Sequence, residues 1–163
     1  MSIDISKAIG NNAYMQFSKF PELTYYIKTI QVPVISTGVT TITMPQHYVW
    51  NIPSVTGDVE DITIMWYLDE NYITYFNLVK WLRECRTVTD ITTVLSDATI
   101  TVTNNAKQPI IDICLKDTWV YNLDSIDFDT YNADPSVPFF SLKCHGFSWK
   151  YLDSSLDKYN GMA

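Results

Sequence analysis

The sequence predicts a mainly β fold of two packed antiparallel sheets, or a partly open barrel, with one α-helix at about residues 70–85. Apolar residues alternate with polar ones along most of the chain, which is the period of half-buried strands. A helical period occurs in a single segment. With 163 residues, 47% of them hydrophobic and 14% aromatic, the chain can bury a real core. We expect one domain over residues 1–163, with an N-terminal arm over residues 1–18 and a C-terminal tail over residues 153–163.

The first predicted strands lie between turn signals. Thr24–Val32 alternates and is stopped by Pro33, and Val39–Met44 alternates and is stopped by Pro45. The following segment, PQHYVWNIPSVTGD, carries two prolines and a glycine without a clear period. It is interpreted as a long loop or a short irregular hairpin.

The central segment joins a strand to the helix. In DITIMWYL, Ile62, Ile64 and Trp66 share one face, which predicts a strand buried on that side. In YITYFNLVKWLRECR, apolar residues recur at helical spacing, and Asp69 or Asn71 is placed to cap the first turn. The residues expected to face the sheet are Tyr72, Tyr75, Phe76, Val79, Leu82 and Trp81.

The second half of the chain predicts a hairpin and a long final strand. Residues 97–103 and 109–115 alternate around the turn Asn104-Asn105-Ala106-Lys107, and residues 116–122 either extend the hairpin or form a further strand. The final strand, Phe139–Leu152, changes its apolar parity at Gly146. A β-bulge at or next to Gly146 would restore one face; alternatively, both faces are buried at different points.

Motifs for catalysis or cofactor binding are not found in the sequence. The five glycines are dispersed, so no P-loop or GxGxxG pattern occurs, and no nucleophile, base or metal set converges. The acidic residues Asp124, Asp127, Asp129 and Asp134 lack the spacing of a calcium loop, so a solvated loop is the preferred interpretation. The net charge of −7 argues against a phosphate-binding surface. We predict a protein that is not an enzyme and that needs no cofactor or metal.

The order of several degenerate motifs identifies a family resemblance over roughly residues 20–152. IQVPVISTG is followed by NIPSV, by DITIMWYLDEN joined to a Tyr/Trp-rich helix ending in KWL, by the hairpin segment SDATITVTNNAKQPIIDICLKDTWVYNLDSIDFD, and by FSLKCHGFSWKYL. This order resembles that of the tail tube proteins of contractile-tailed bacteriophages. Trp119-Val120 stands where that family has an aromatic residue followed by proline.

The resemblance implies a structural virion protein. Its subunits would form hexameric rings stacked into a hollow tail tube through which DNA is delivered. The implied partners are further copies of the chain, the tail sheath protein, baseplate and tail-terminator proteins, and the tape measure protein and transiting DNA in the lumen, with no membrane. Assembly would take place in the host cytoplasm. The alternatives are a baseplate tube initiator or tube terminator of the same fold, and a β-sandwich binding module.

Polar strand faces suggest which residues line the channel. A strand with one apolar and one Thr-rich face suits a wall between a packed layer and a wet lumen. A carboxylate on a strand must face water or a partner, because its unpaired burial is costly. The acidic chain further predicts an acidic lumen that lets DNA slide. The lumen-facing candidates are Thr29, Gln31, Thr41, Thr43, Asp61, Thr63 and Asp112.

Overall fold

The structure, a computed structural model, describes residues 12–44, 48–128, 131 and 136–162. These residues form ten strands: β1 Ala13–Phe17, β2 Ile27–Ile30, β3 Ile35–Met44, β4 Tyr48–Val59, β5 Ile62–Trp66, β6 Ser96–Thr103, β7 Pro109–Leu123, β8 Phe139–Lys143, β9 Gly146–Tyr151 and β10 Gly161–Met162. The α-helix α1 spans Ile73–Thr87, and 3₁₀ helices span Pro21–Tyr25, Ile91–Thr93 and Ser154–Tyr159. The predicted mainly β fold with one main helix is confirmed.

The long strand β7 joins two antiparallel layers. Its first half pairs with β6 on one side and β9 on the other, and its second half pairs with β8. β1 continues the first layer beyond β6, whereas β5 and β2 continue the second layer beyond β8. Phe17 of β1 and Phe140 of β8 meet between the layers with their ring centroids 6.2 Å apart. The core therefore lies between the two layers of one continuous, partly open sheet.

The core is made of the inward sides of β1, β5, β6, β7, β8 and β9 together with one face of α1. Ile62, Ile64 and Trp66 are fully buried, as their alternation predicts. Full burial of such a side chain contributes about 1.5–3 kcal/mol, so each of these positions stabilises the layer substantially. The remaining buried hydrophobic residues of this cluster are Met15, Phe17, Leu23, Leu78, Trp81, Ala98, Ile100, Ile113, Leu115, Val120, Phe140, Leu142 and Phe147.

Both predicted terminal segments contribute to the sheet. β1 lies inside the predicted arm over residues 1–18, and its Met15 and Phe17 are buried; residues 1–11 of that arm lie outside the described residues. The predicted strand Thr24–Val32 is wrong at its start, because Pro21 opens a 3₁₀ helix there and only β2 is extended. The predicted tail over 153–163 contains a 3₁₀ helix and β10, which pairs with β9.

The segment predicted as a loop or irregular hairpin is instead half of a long ribbon. β3 and β4 pair with each other over residues 35–44 and 48–59, and the hydroxyl of Thr41 donates to Asn51 Oδ1 at 3.0 Å. Pro53 sits opposite Val39, next to a register shift. Proline is tolerated there because β4 is an edge strand, whose outward amide has no strand to donate to. Residues 45–47 lie outside the described part of the chain.

The helix is present, and its predicted face is right for the buried Trp81 and for Tyr75 and Leu82, which pack against the core, but wrong for Phe76. Thr74, Leu78 and Trp81 are buried, whereas Phe76 is 64% exposed. Two apolar stripes run along α1, and periodicity alone does not identify which of them meets the sheet. Among the described residues no helix is long and apolar enough to cross a bilayer.

The predicted bulge at Gly146 is wrong. Lys116 pairs with Gly146 and Trp119 pairs with Lys143. Between these two pairs β7 and the β8–β9 segment both advance by three residues, so neither has an extra residue. The long predicted strand is interrupted between β8 and β9 without a register shift.

The bulge lies one strand away, on β7. Ser96 and Ala98 of β6 are two residues apart, but their partners Thr118 and Leu115 are three apart. The extra residue falls beside Asp117, whose φ of 51° is left-handed. β8 and β9 pair with β7 on opposite sides of this bulge. The buried hydrophobic positions therefore change from even-numbered residues in β8 to odd-numbered residues in β9.

Candidate assembly surfaces

Three of the lumen candidates share the outer face of the layer formed by β2, β5 and β8, called the β5 outer face below. Thr63 alternates with the buried residues of β5 and pairs with Ser141. Thr29 is exposed and pairs with Met65, which is also exposed. Asp61 lies just before β5. The structure therefore places these three predicted residues on one face of the sheet.

The charged groups of the β5 outer face do not make it acidic. Asp61 Oδ1 accepts from Lys143 Nζ at 3.1 Å, and both side chains remain about 40% exposed. The same Lys143 lies 4.7 Å from the ring centroid of Tyr121, and Lys28 lies 5.5 Å from that of Tyr67. The two ammonium groups outnumber the one carboxylate here, so the expected acidic lining is not found on this face.

The other lumen candidates lie elsewhere. Gln31 follows β2, and its amide donates to the carbonyl of Thr63 at 3.2 Å. Thr41 and Thr43 alternate on β3 of the ribbon. Asp112 is on the first half of β7, where it accepts from the hydroxyl of Thr101 at 2.7 Å. The structure therefore does not bring the seven residues together on one face.

The β3–β4 ribbon is the surface that the sequence prediction missed. From Thr29 to Gly57 the chain contains no Asp, Glu, Lys or Arg. On one side of the ribbon Ile42 pairs with Trp50, next to the pair of Thr40 with Ile52. Trp50 is 64% exposed, and Ile42 and Ile52 are also exposed. The long gap in charge was the signal in the sequence that could have identified this surface.

A ribbon of this kind needs a partner. Two-stranded hairpins are marginally stable in water by themselves, and their free edges invite pairing with another chain. Natural proteins protect such edges with charged side chains and proline, and the ribbon has only Pro53 and, near its end, Asp58. Within the described residues β3 and β4 pair only with each other. The apolar side of the ribbon is thus exposed, and no other described strand pairs with its edges.

Side chains with potential chemistry are dispersed. Burial raises the pKa of the Cys85 thiol and that of Cys144, which lowers their thiolate fraction at neutral pH. In the described ranges no group of three His, Cys, Asp or Glu residues could hold a metal ion. Asp124 and Asp127 of the acidic segment are described, whereas Asp129 and Asp134 lie outside the described residues.

Comparisons of sequence and structure give different results. No protein-family model and no curated protein matches the sequence. The fold, in contrast, is similar to a chain of the anti-feeding prophage baseplate, with a TM-score of 0.69 and 13% identity over 94% of this chain and 99% of that one.

Two further solved structures agree. A chain of the PVC sheath–tube complex, from an extracellular contractile injection system in its extended state, has a TM-score of 0.67 and 12% identity over 92% of this chain and 95% of that one. A chain of the anti-feeding prophage tube-terminating cap has a TM-score of 0.67 and 12% identity over 93% and 99%. At these identities the likeness establishes the fold. The chain therefore has the fold of proteins found in the sheath–tube, baseplate and tube-terminating assemblies of contractile injection systems.

Proposed function

We propose that this protein is a structural, non-enzymatic subunit that forms hexameric rings, and that these rings stack into the hollow tube of a contractile particle. The observation that carries the proposal is the β3–β4 ribbon, which has no charged residue before Asp58, with its exposed Ile42, Trp50 and Ile52. Contact with neighbouring subunits would remove this apolar side from water and give its edges partners.

The geometry of the free surfaces supports a ring. The ribbon and the edge of β2 away from β5 are different surfaces of one protomer. β1 contacts β2 without pairing with it, and no further described strand pairs with either surface. Contacts between unlike surfaces are heterologous, and heterologous contacts close into rings or continue as stacks. The 6-fold symmetrised baseplate with a similar chain supports six copies in the ring.

The β5 outer face is the proposed wall of the channel. Thr29, Asp61 and Thr63 would line it, with Gln31 at its margin. A wall of hydroxyl groups with a paired Asp61–Lys143 and one further cation, Lys28, has little net charge, so a passing polymer is neither strongly held nor strongly repelled. Asp112 belongs to the other layer, so it would not line the same channel. The ribbon residues Thr41 and Thr43 would lie at contacts between subunits.

The particle we propose is a phage tail, as the sequence resemblance implies. The tube would then carry DNA, with a tape measure protein in the lumen, a sheath around it, and baseplate and terminator proteins at its ends. The similarity to chains of sheath–tube and baseplate assemblies supports these classes of partner.

A tube initiator or terminator is the second candidate. Similarity to chains of a baseplate and of a tube-terminating cap favours it, because an end protein of this fold differs from a repeating subunit only in which of its faces is covered. Such a protein would form one ring and stop.

Electron microscopy of the purified protein distinguishes these possibilities. We expect six-fold rings that lengthen into tubes as protein concentration rises, since assembly follows mass action. Rings that never stack would identify an initiator or terminator. A monomer at high concentration, measured by light scattering, would refute the assembly proposal.

A matched pair of variants tests the role of the ribbon. Trp50→Lys places a charge on its apolar side, whereas Tyr25→Lys changes an 87% exposed residue outside it. We expect Trp50→Lys to give folded monomers and Tyr25→Lys to assemble normally. Equal assembly of both variants would show that the ribbon is not the contact.

A further inference from the structure

The start of α1 carries an exposed aromatic patch that has no role in the proposed ring of subunits. Phe76 is 64% exposed, Ile73 is 57% exposed and Phe128 is 73% exposed. The ring of Tyr72 packs on Phe128 with centroids 5.8 Å apart, and the hydroxyl of Tyr75 reaches the carbonyl of Asp124 at 3.4 Å. The helix start and the segment after β7 thus form one surface, called the helix-start patch.

Most charged groups near the helix-start patch are acidic, and Lys80, one helical turn after Phe76, is the nearest basic residue of α1. The two segments that contribute to the patch contain no Lys or Arg from Asp61 to Val79 or from Asp117 to Leu142. Glu70, Asp124 and Asp127 border the aromatic residues, and no ion pair among the described residues involves any of them. The carboxylate of Asp69, by contrast, is used by the amides of the helix.

Aromatic residues surrounded by carboxylates favour one kind of partner. The rings supply large apolar contact area together with faces that attract cations. The carboxylates attract Lys and Arg and repel acidic chains. A second copy of this chain, with its net charge of −7, is a poor electrostatic match.

We propose that the helix-start patch docks a basic amphipathic segment of a second protein, with apolar side chains on Phe76 and Phe128 and Lys or Arg side chains on Glu70 and Asp127. The patch lies outside both the ribbon and the β5 outer face, so we expect its variants to lose the partner while ring formation is retained.

Binding of a fluorescent amphipathic helical peptide made of leucine and lysine tests the proposal. The patch variant is Phe76→Ser with Phe128→Ser, and its control is Ile91→Ser with Tyr25→Ser, which removes equally exposed apolar side chains elsewhere. We expect the patch variant to weaken binding about tenfold or more, as loss of interface hot spots does. The control should bind as the unchanged protein does. Equal binding by both variants would overturn the proposal.

Charge is tested in the same way. Glu70→Gln with Asp127→Asn should weaken peptide binding more than Glu22→Gln with Asp157→Asn, which removes the same charge elsewhere. Equal effects would show attraction to net charge alone and would overturn the proposal.

The last test is the oligomeric state of the patch variant, measured by light scattering. If the patch variant changes oligomeric state, a second copy occupies the patch and the proposal is wrong.

Discussion

Trp81 Nε1 donates a hydrogen bond of 2.6 Å to the carbonyl oxygen of Val94, and both residues are buried. This bond fixes the helix to the segment that enters β6. Trp66, equally buried, has an indole nitrogen without a hydrogen-bond partner. A change of Trp81 to phenylalanine therefore leaves a carbonyl group without its hydrogen-bond donor, whereas the same change at Trp66 does not.

We predict that Trp81→Phe lowers the free energy of unfolding more than Trp66→Phe does. The first change leaves the buried carbonyl of Val94 unpaired, at a cost of about 1–3 kcal/mol, whereas the second removes a nitrogen that is already unpaired. Both changes remove the same volume, so each serves as the control for the other. Denaturant unfolding measures the difference, and an equal loss in both variants would contradict the prediction.

We predict that Phe76→Ala changes stability little, because its side chain is mostly exposed. Leu78→Ala, on the buried face, should lower the free energy of unfolding by about 2–5 kcal/mol. Thermal and denaturant unfolding of the two variants compare the faces directly. A large loss for Phe76→Ala would show that it packs in the core.

The sequence predicts an element well where one side is buried and the other wet. β5 and the β6–β7 hairpin meet that condition, and their alternation identified them. β4 does not, because the ribbon is exposed on both sides, so no period marks it and Pro53 suggests a loop. Similarly, Thr63 and Asp112 both show as solvent-facing in the sequence. Their positions on opposite layers depend on pairings between distant strands.

We predict a pH-dependent contribution from Asp69. Burial raises the pKa of this carboxyl group, but hydrogen bonds from the hydroxyl and amide of Thr74 and the amide of Ile73 outweigh burial and lower it below its ordinary value of 3.8. A lowered pKa in the folded state means that the contribution is complete above the unfolded pKa and is lost as pH falls through the folded pKa.

Asp69→Ala should therefore cost about 0.5–2 kcal/mol at neutral pH, as loss of a helix cap does, and less in acid. The gap between the variant and the unchanged protein should narrow below about pH 4. Denaturant unfolding across pH measures it, with Glu70→Gln as the neighbouring control. A gap that stays constant down to pH 2 would exclude the carboxylate as the cause.

We predict that Gly161→Ala detaches the C-terminal strand. A Cβ at this position would lie 2.2 Å from the Trp149 ring, which is held by its hydrogen bond of 2.8 Å to the carbonyl of Tyr159. The ring has to turn away to admit a Cβ, which breaks its hydrogen bond to Tyr159 and weakens the β9–β10 pairing. We expect faster proteolysis near the C-terminus and a shift in tryptophan fluorescence, with assembly of the remaining fold retained. Unchanged proteolysis would show that the close approach is relieved at little cost.

The last prediction concerns Asp117, where β7 carries its bulge. Its φ of 51° is left-handed, a conformation that Asp, Asn and Gly tolerate and that β-branched residues do not. Its amide also donates to Asp97 Oδ1 at 3.1 Å, which holds the bulge in place.

Asp117→Val should lower the free energy of unfolding by about 1–2 kcal/mol although the residue is exposed. Asp117→Gly should be close to neutral, because it relaxes the backbone and keeps the amide. Gln16→Val, an exposed change on a regular strand, is the control for the valine itself. Equal stability of Asp117→Val and Asp117→Gly would mean that β7 straightens at this residue, and the parity change between β8 and β9 would then need another cause.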